Sequence, residues 1–267
     1  MGGNTKALRA RIKSVTSTLQ LTKAMGLVAS SKIRKANEAM QNARQYGKAL
    51  DEAMSVLASD KECEKSPYLA VRDGGRTRII VIAGDRGLAG GYNANVFRLC
   101  AQHKDAEFIP IGKRACERYG KTICSSERYT FGETATLADK LCKDFLNGEY
   151  DRLGIIYTRY VSVMSQEATY KQLLPLSFPK KETRGGMIFE PDCLTALNAS
   201  VREYVAGSIT AAVRESFACE VTARRMAMDS AGKNAKEMID GLSLEYNRAR
   251  QGAITQEITE IVAGSGN

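Results

Sequence analysis

A seven-residue repeat in the first 57 residues leaves little freedom in how this chain can fold. Fifteen positions that step alternately by four and three residues hold no charged side chain: Leu8, Ile12, Val15, Leu19, Thr22, Gly26, Ala29, Ile33, Ala36, Met40, Ala43, Gly47, Leu50, Met54 and Leu57. A repeat of this period predicts a long helix that supercoils in a left-handed sense against a partner helix. The small residues in its middle predict that the partner backbone lies close there.

A second long helix is predicted at the other end of the chain. All five prolines lie between residues 67 and 191, and proline breaks helices, so long helices are confined to the two flanks. Apolar residues in the C-terminal flank recur mostly at three- or four-residue steps: Leu197, Val201, Val205, Ile209, Val213, Phe217, Val221, Met228, Ala231, Ala235, Met238, Leu242, Tyr246, Ala249 and Ala253. Because the chain leaves and returns through one inserted segment, we expect the two helices to pair as an antiparallel coiled coil.

The inserted segment has the pattern of an α/β domain. Buried-strand patterns alternate with helical ones, the strands at 78–84, 108–112 and 153–158 and the helices near 93–104, 113–120 and 134–147. This alternation predicts a mainly parallel, doubly wound, Rossmann-like sheet. We expect an antiparallel edge strand at 168–176 and a polar excursion at 180–186. The predicted domains are an N-terminal coiled-coil helix, an inserted α/β domain and a C-terminal coiled-coil helix, at 1–66, 67–190 and 191–267.

Positive charge is concentrated in the first helix. Residues 1–48 hold ten Lys or Arg and one acid, Glu38, a net of +9 that equals the net charge of the whole chain. Residues 192–267 hold eight basic and ten acidic residues. A helix this poor in acids predicts an acidic partner, either nucleic acid, an anionic lipid surface or an acidic protein surface. A solvated face that keeps the protein soluble is the alternative.

Composition disfavours integral membrane and secreted proteins. No apolar run approaches the roughly 20 residues that cross a bilayer, and no apolar block follows the first basic residues as in a signal peptide. Seven cysteines without a Cys-x-x-Cys pair, and the single histidine His103, offer little for a metal site or a catalytic triad. We expect reduced cysteines that fill the core in a cytoplasmic setting.

One glycine-rich loop is the sharpest candidate for chemistry. Residues 84–93, Gly-Asp-Arg-Gly-Leu-Ala-Gly-Gly-Tyr-Asn, follow the first predicted strand and precede a helix, where a loop can cradle phosphate. The glycine spacing matches neither the dinucleotide fingerprint nor a P-loop. The preferred interpretation is a tight turn that presents Asp85 and Arg86 to a partner, with nucleotide binding by an α/β enzyme as an alternative. The sequence predicts no catalytic residue, no metal ligand and no cofactor.

Three stretches at the two ends and in the middle of the chain carry a family likeness. They lie within residues 11–32 (Arg-Ile-Lys-Ser-Val, Leu-Thr-Lys-Ala-Met and Val-Ala-Ser-Ser-Lys), at 84–88 and at 246–262. Together they resemble the γ subunit of F-type ATP synthases, over essentially the full chain and in the expected order. The cysteine-bearing insert of chloroplast members is absent, which is typical of a bacterial form.

The resemblance implies a function and a set of partners. It implies a non-catalytic central-stalk rotor that couples rotation of the membrane c-ring, and so ion flow, to ATP synthesis or hydrolysis on the catalytic β subunits. The implied partners are the α and β subunits of the catalytic hexamer, the ε subunit and the c-ring, with no nucleic acid. The implied location is peripheral, on the cytoplasmic face of the bacterial cell membrane. Both H⁺ and Na⁺ are compatible coupling ions.

Contact residues follow from the same resemblance, position by position. Those that match family contacts with the hexamer are Arg250, Gln251, Thr255, Glu257, Glu260, Met25 and Arg86, and those at the foot that meets the c-ring are Phe189 and Glu190. Arg250 would pair with a carboxylate of a β-subunit loop, and Gln251 would add a hydrogen bond. The alternative function is a basic coiled coil that binds nucleic acid, which the acidic Glu257 and Glu260 near the tip do not favour.

Overall fold

The computed structural model describes residues 2–72, 74–120, 124–178 and 189–264. Within them a short 3₁₀ turn, Lys61–Lys65, follows the first helix. The helices and strands, in chain order, are α1 (Gly2–Leu57), β1 (Thr77–Ile82), α2 (Tyr92–Cys100), β2 (Glu107–Ile111), α3 (Lys113–Tyr119), α4 (Phe131–Leu146), β3 (Arg152–Tyr160), β4 (Gln166–Leu174) and α5 (Cys193–Gly264). In these described residues, no helix combines the length and the apolar character needed to cross a bilayer.

The chain divides into two compact units. The first, which we call the terminal unit, consists of Met1–Ser31 and Arg224–Asn267. The second, the α/β unit, consists of Lys32–Ala223. Segments of α1 and α5 belong to both units, because the unit boundaries fall inside these two helices.

In the terminal unit, α1 and α5 run antiparallel and approach each other at glycines. A Cβ atom added to Gly26 would lie 3.6 Å from the Cβ of Met228, and one added to Gly232 would lie 3.8 Å from the Cδ1 of Leu19. Residue numbers therefore rise along one helix as they fall along the other. Ordinary van der Waals contact at these positions confirms the close approach that the small residues predicted.

Burial confirms the predicted repeat of α1 and corrects one position in α5. All fifteen repeat positions of α1 are buried or half-buried. In α5, the prediction that Met238 lies on the packed face is wrong, because its side chain is 49% exposed. Ile239 is half-buried in its place. The step after Ala235 is thus four residues and the next, to Leu242, is three, which keeps these side chains on one face of a 3.6-residue helix.

The α/β unit contains a four-stranded sheet in the order β2-β1-β3-β4. Strand β1 pairs in parallel with both neighbours, and its Ile80 lies opposite Ile109 of β2 and Ile155 of β3. Strand β4 pairs antiparallel with β3, with Thr169 opposite Tyr157, and forms an edge of the sheet. The mainly parallel sheet and its antiparallel edge confirm the predicted α/β class.

Both faces of β1 are covered, which explains its continuous apolar sequence. Ile79 and Val81 pack in one cluster with residues of α2 and α3. Ile80 and Ile82 belong to a larger cluster that includes residues of α1, α4 and α5. The core of the α/β unit therefore lies on both sides of the sheet, as the strand and helix alternation predicted.

The cysteines fill this core, as predicted from the sequence. Six of the seven are buried and Cys124 is half-buried, and all seven are free thiols. Burial raises the pKa of Cys63, and that of Cys142, to about 12, so these thiols stay protonated and unreactive near neutral pH. The polar excursion predicted at 180–186 lies outside the described residues.

Candidate functional site

The last part of α5 is an exposed stretch of helix. Every side chain from Ile254 to Val262 is exposed, and Ile258, Ile261 and Val262 are apolar side chains exposed by 56%, 71% and 64%. Large apolar side chains in such number on a helix surface mark a contact surface for another molecule. We call residues 250–262 the tip segment.

The tip segment carries the five polar residues that the resemblance singled out, and all of them are exposed. The Thr255 hydroxyl donates to the Gln251 carbonyl at 3.0 Å, and the Gln256 amide donates to Glu260 at 2.9 Å. Arg250 makes no ion pair within the described residues. Seven residues separate Arg250 from Glu257, so the two lie on the same face of the helix. Arg250 and Glu257 are therefore exposed on one face of the helix and available to a partner.

The cations of α1 in the terminal unit are exposed as well. There are five, and none forms an ion pair in the part of the chain that the structure describes: Lys6, Arg9, Arg11, Lys13 and Lys23. Met25 is half-buried beside the buried Gly26, and Leu27 and Val28 after it are exposed by 72% and 54%. This stretch of α1 therefore presents positive charge together with apolar surface.

The glycine-rich loop that follows β1 differs from its predicted arrangement. Asp85 does not face outward, since its Oδ1 accepts from the backbone N–H groups of Lys113 at 3.1 Å and Ser126 at 2.9 Å. Its Oδ2 accepts from the Ser125 hydroxyl at 2.5 Å and from the Glu127 N–H at 3.1 Å. The prediction that the loop presents Asp85 to a partner is wrong, because the carboxylate accepts hydrogen bonds from four donors of its own chain.

The same contacts argue against phosphate binding at this loop. The carboxylate of Asp85 accepts a hydrogen bond from the backbone N–H of Lys113 at the start of α3. Its negative charge at this position repels phosphate. Arg86, by contrast, is exposed as predicted. Its carbonyl accepts from the Asn93 amide at 3.2 Å, and Asn93 also accepts from the Gly84 N–H at 2.9 Å. The loop thus holds Arg86 at the surface of the α/β unit.

Asp85 makes the stability of the α/β unit depend on pH. Burial raises the pKa of Asp85, but the hydrogen bonds from Ser125 and the backbone outweigh it and hold the pKa below its ordinary value of 3.8. A group whose pKa is lowered by folding stabilises the fold above its unfolded pKa and loses that contribution as the pH falls. We expect Asp85→Asn to lower the free energy of unfolding at pH 7 by about 2–3 kcal/mol.

Chemical denaturation of wild type and of Asp85→Asn at a series of pH values checks this prediction. The difference between wild type and Asp85→Asn should be constant from pH 7 to about pH 5 and should shrink below about pH 4. Glu133→Gln provides a comparison, because Glu133 is an exposed carboxylate whose pKa is also lowered, by hydrogen bonds from Thr130. A difference for Asp85→Asn that stays constant down to pH 3 would show that its ionised form does not stabilise the fold.

Two buried contacts that are not evident from the sequence join α5 to the sheet. Glu215, only 6% exposed, accepts from the Arg44 guanidinium at 2.5 Å and from the Tyr160 N–H at 2.8 Å. The Ser216 hydroxyl accepts from the Thr158 N–H at 3.1 Å. We call the Arg44–Glu215–Tyr160 contact the latch. A charged residue inside the apolar pattern of α5 was the available signal, since a buried carboxylate needs a cationic partner.

The predicted foot residues, Phe189 and Glu190, lie at the end of the predicted insert, just before α5 begins at Cys193. Phe189 is half-buried and packs against the larger core cluster of the α/β unit. Glu190 is exposed. The structure therefore places the carboxylate, and not the phenyl ring, at the surface.

A cleft of about 590 Å³ in the α/β unit is lined by charged side chains of both signs. Lys171 pairs with Asp51 at 3.1 Å, and Lys48 approaches Glu52 at 3.8 Å. Because each cation has an acid beside it, this cleft offers no excess of positive charge for a nucleotide phosphate. Neither the cleft nor the loop after β1 supports the nucleotide-binding alternative.

Comparison with known proteins identifies the family of this chain. A sequence model of the family described as ATP synthase matches residues 4–266. The ATP synthase gamma chain of Ruminococcus albus is 39% identical, with 99% of this chain and 98% of that protein covered. The chain belongs to the ATP synthase gamma chain family. The gamma chain of Acetobacterium woodii, named as sodium ion specific, is 37% identical over 99% of each chain.

Solved structures agree with the gamma chain fold. A chain of the mitochondrial ATP synthase of Euglena gracilis matches with a TM-score of 0.68 and 18% identity, over 99% of this chain and 94% of that one. A chain from the central stalk and c-ring of the Tetrahymena thermophila mitochondrial enzyme matches with a TM-score of 0.64 and 20% identity, over 79% and 99%. These likenesses confirm the predicted fold of two long helices with an α/β insert.

Proposed function

We propose that the chain is the central-stalk rotor subunit of an F-type ATP synthase, a non-catalytic subunit that couples rotation of a c-ring to ATP synthesis or hydrolysis. The observation that carries the proposal is the 39% identity to a gamma chain across almost the full length of both proteins. The two antiparallel helices with an exposed tip segment support it. No observation on the described residues favours the nucleic-acid alternative.

The proposed mechanism uses the helices as an asymmetric shaft. A shaft that presents different side chains in different directions gives each of three surrounding catalytic sites a different set of contacts. Since a contact that differs between two conformations shifts their populations, rotation of the shaft would change the nucleotide affinity of each site in turn. The polar and apolar residues of the tip segment would supply these contacts.

The partner of the basic helix is proposed to be acidic protein. The exposed cations of α1, such as Lys13 and Lys23, would face acidic segments of the β subunits. Met25 would lie opposite such a segment, and Arg86 would add a contact from the α/β unit. Arg250, Gln251, Thr255, Glu257 and Glu260 would contact the hexamer near the top of the shaft.

The remaining proposed partners lie toward the membrane. Phe189 and Glu190 would mark the foot that meets the c-ring, and the α/β unit would bind the ε subunit. The protein would then be peripheral, held on the cytoplasmic face of a bacterial membrane by the complex. The coupling ion would be Na⁺ or H⁺, and the sodium-specific relative makes measurement of both worthwhile.

ATP-driven rotation of the assembled complex tests the proposed function. Purified α and β subunits, combined with this chain, should form a complex in which a probe attached at the exposed position Lys104 rotates while ATP is hydrolysed. The same subunits without this chain should show no rotation. If the chain fails to assemble with them, or assembles without rotating, the proposed function is wrong.

The role of Arg250 has its own test. Arg250→Ala removes one charge-assisted hydrogen bond to the β subunit, worth about 1.5–3 kcal/mol, and should lower the number of ions pumped per ATP hydrolysed in reconstituted vesicles. The fold should be unaffected, because the side chain is exposed. Arg248→Ala is the matched control, since Arg248 is also an exposed arginine and lies two residues away. Equal ion pumping by both variants and by wild type would contradict the role of Arg250.

A further inference from the structure

Two buried thiols meet where the chain enters and leaves the α/β insert. Cys63 lies in the 3₁₀ turn that follows α1, and Cys193 is the first residue of α5. Their Sγ atoms are 3.1 Å apart, although the two residues are 130 positions apart in the chain. The side chains are 0% and 4% exposed. We call these two residues the thiol pair. Their sulfur atoms need to approach by only about 1 Å to reach the length of a disulfide bond.

Hydrogen bonds hold the two sulfur atoms in this arrangement. The Cys193 thiol donates to the carbonyl of Leu57, the last residue of α1, at 3.6 Å, and the Cys63 thiol donates to the Cys193 sulfur. A separate contact joins the segments that carry the thiols, since the Ser66 hydroxyl donates to the side-chain oxygen of Asn198 at 2.6 Å. The thiols therefore face each other because of how α1, the turn and α5 pack.

A single short turn covers the thiol pair. In Lys61–Lys65 only Cys63 is buried, and its four charged neighbours are exposed. The Cys63 N–H donates to the Asp60 carbonyl at 3.1 Å, and the Asp60 carboxylate caps the turn by accepting from the Glu62 N–H at 2.9 Å. Because a 3₁₀ turn has poorer hydrogen-bond geometry than a long helix, it opens more readily. Opening moves Cys63 away and uncovers the Cys193 sulfur.

The closed turn protects Cys63 from reaction. Burial is the main cause that raises the pKa of Cys63 to about 12, so the thiol stays protonated while the turn is closed. Opening exposes the thiol to water and removes this cause. The reactivity of the thiol pair is therefore coupled to opening of the turn.

We propose that the thiol pair is a redox-active site, which a hydroperoxide oxidises to a reversible disulfide. When the turn opens, the Cys193 sulfur attacks one peroxide oxygen. An S–O bond forms, the O–O bond breaks, and the thiol proton leaves with the second oxygen as water or an alcohol. When the turn closes, the Cys63 sulfur attacks the Cys193 sulfur. The S–S bond forms, the S–O bond breaks, and the Cys63 proton leaves with the hydroxyl group as water. The two thiols lose two electrons, which the peroxide gains, and a dithiol reductant reverses the step by exchange.

The disulfide closes a covalent loop around the insert. All four strands and helices α2, α3 and α4 lie between Cys63 and Cys193. Cross-links that close long loops stabilise a fold because they restrict the unfolded chain. Oxidation therefore stabilises the α/β unit. The reaction needs only this chain and a peroxide, so it is independent of the proposed rotor function.

Peptide mapping of the full-length chain tests the proposal. The chain, freed of reductant, is treated with hydrogen peroxide, blocked with N-ethylmaleimide in denaturant, digested and analysed by mass spectrometry. We expect two peptides joined through Cys63 and Cys193 in more than half of the chains, and their separation by dithiothreitol. Cys142 is the control, because it is also buried, and it should remain a thiol. If Cys63 stays reduced, joins another cysteine or becomes a sulfinic acid, the proposal is wrong.

Melting temperatures separate this disulfide from other oxidation products. Oxidised wild type should melt at least about 5 °C above the reduced chain, and Cys63→Ser should abolish the increase. Cys116→Ser is the matched control and should keep the increase, because Cys116 lies 3.5 Å from Cys124 in a second pair of thiols. No increase in wild type, an increase that persists in Cys63→Ser or one that is lost in Cys116→Ser would overturn the proposal. If Cys63→Ser does not fold, the peptide map of wild type decides.

Substitution of the capping residue tests whether opening of the turn controls the reaction. Asp60→Ala removes the cap and should speed disulfide formation at least threefold. Asp60→Asn keeps a capping oxygen but removes the charge, so its rate should stay within twofold of wild type. Equal rates in all three chains, or equal acceleration in both variants, would show that opening of the turn does not control the reaction.

Discussion

Glu215→Ala is expected to lower the free energy of unfolding of the α/β unit by about 2–4 kcal/mol. The substitution leaves the N–H of Tyr160 without its acceptor and the guanidinium of Arg44 without its carboxylate. Hydrogen bonding to Glu215 is also the main reason that the pKa of Arg44 is raised. Chemical denaturation of the purified chain measures the loss.

An exposed ion pair of the same kind provides the control. Arg159 and Glu167 pair at 2.8 Å, but both side chains are about half exposed. Glu167→Ala should therefore cost less than about 1 kcal/mol, since water screens such pairs. A double-mutant cycle of Glu215→Ala with Arg44→Ala then isolates the coupling of the latch. Equal effects of the two glutamate substitutions would mean that the latch adds nothing beyond a surface pair.

The latch has a consequence for the proposed function. Within the α/β unit it ties both long helices to the end of strand β3, since Arg44 belongs to α1 and Glu215 to α5. A rotor must carry torque between its helices and the part of the chain that meets the ring. Glu215→Ala chains that still assemble should therefore rotate with a lower stalling torque than wild type.

Gly112→Ala is expected to destabilise the α/β unit by at least about 4 kcal/mol, a large fraction of the stability of a typical domain. Gly112 joins β2 to α3 with a φ of 96° and a ψ of 144°, a conformation essentially restricted to glycine. A Cβ atom there would also overlap the backbone carbonyl of Ala83. Backbone cannot rotate away as a side chain can, so the strands themselves would have to separate.

Gly120→Ala is the matched control for this prediction. Gly120 ends α3 with a φ of 65°, and a Cβ atom added there meets none of the described residues within 4 Å. Only the left-handed strain remains, which costs about 1–2 kcal/mol. Circular dichroism and denaturation of the two variants compare them directly. Similar stability of both would show that the overlap with Ala83 is relieved elsewhere.

Periodicity explains why so much of the fold follows from sequence. The repeat of α1 depends on spacing along one helix, so each of its positions, from Leu8 to Leu57, could be assigned without knowing the partner. Met238 is the one wrong position. After Ala235 the next apolar residue can lie three residues on, at Met238, or four residues on, at Ile239, and the sequence pattern does not decide between them. Strands β1 and β3 could be predicted because short, continuous apolar runs are typical of buried strands in an α/β domain.

The structure bears on the candidate contact residues only through their exposure, and their contacts with a partner stay predictions. The residues of the tip segment and Arg86 are at the surface, as the resemblance implies. Asp85 was misjudged because its four hydrogen-bond donors come from residues 113–127, which sequence spacing does not place beside it. Glu215 was missed for the same reason, since its partner Arg44 lies on the other long helix.

The sequence alone determined the two long helices, their pairing faces and the position of the α/β insert, because these depend on local periodicity and on where proline stops a helix. Only the tertiary structure decided that Asp85 is an internal acceptor and that Glu215 joins both helices to the sheet. Those contacts join residues far apart in the chain, and their strength comes from burial and geometry that only the folded chain creates.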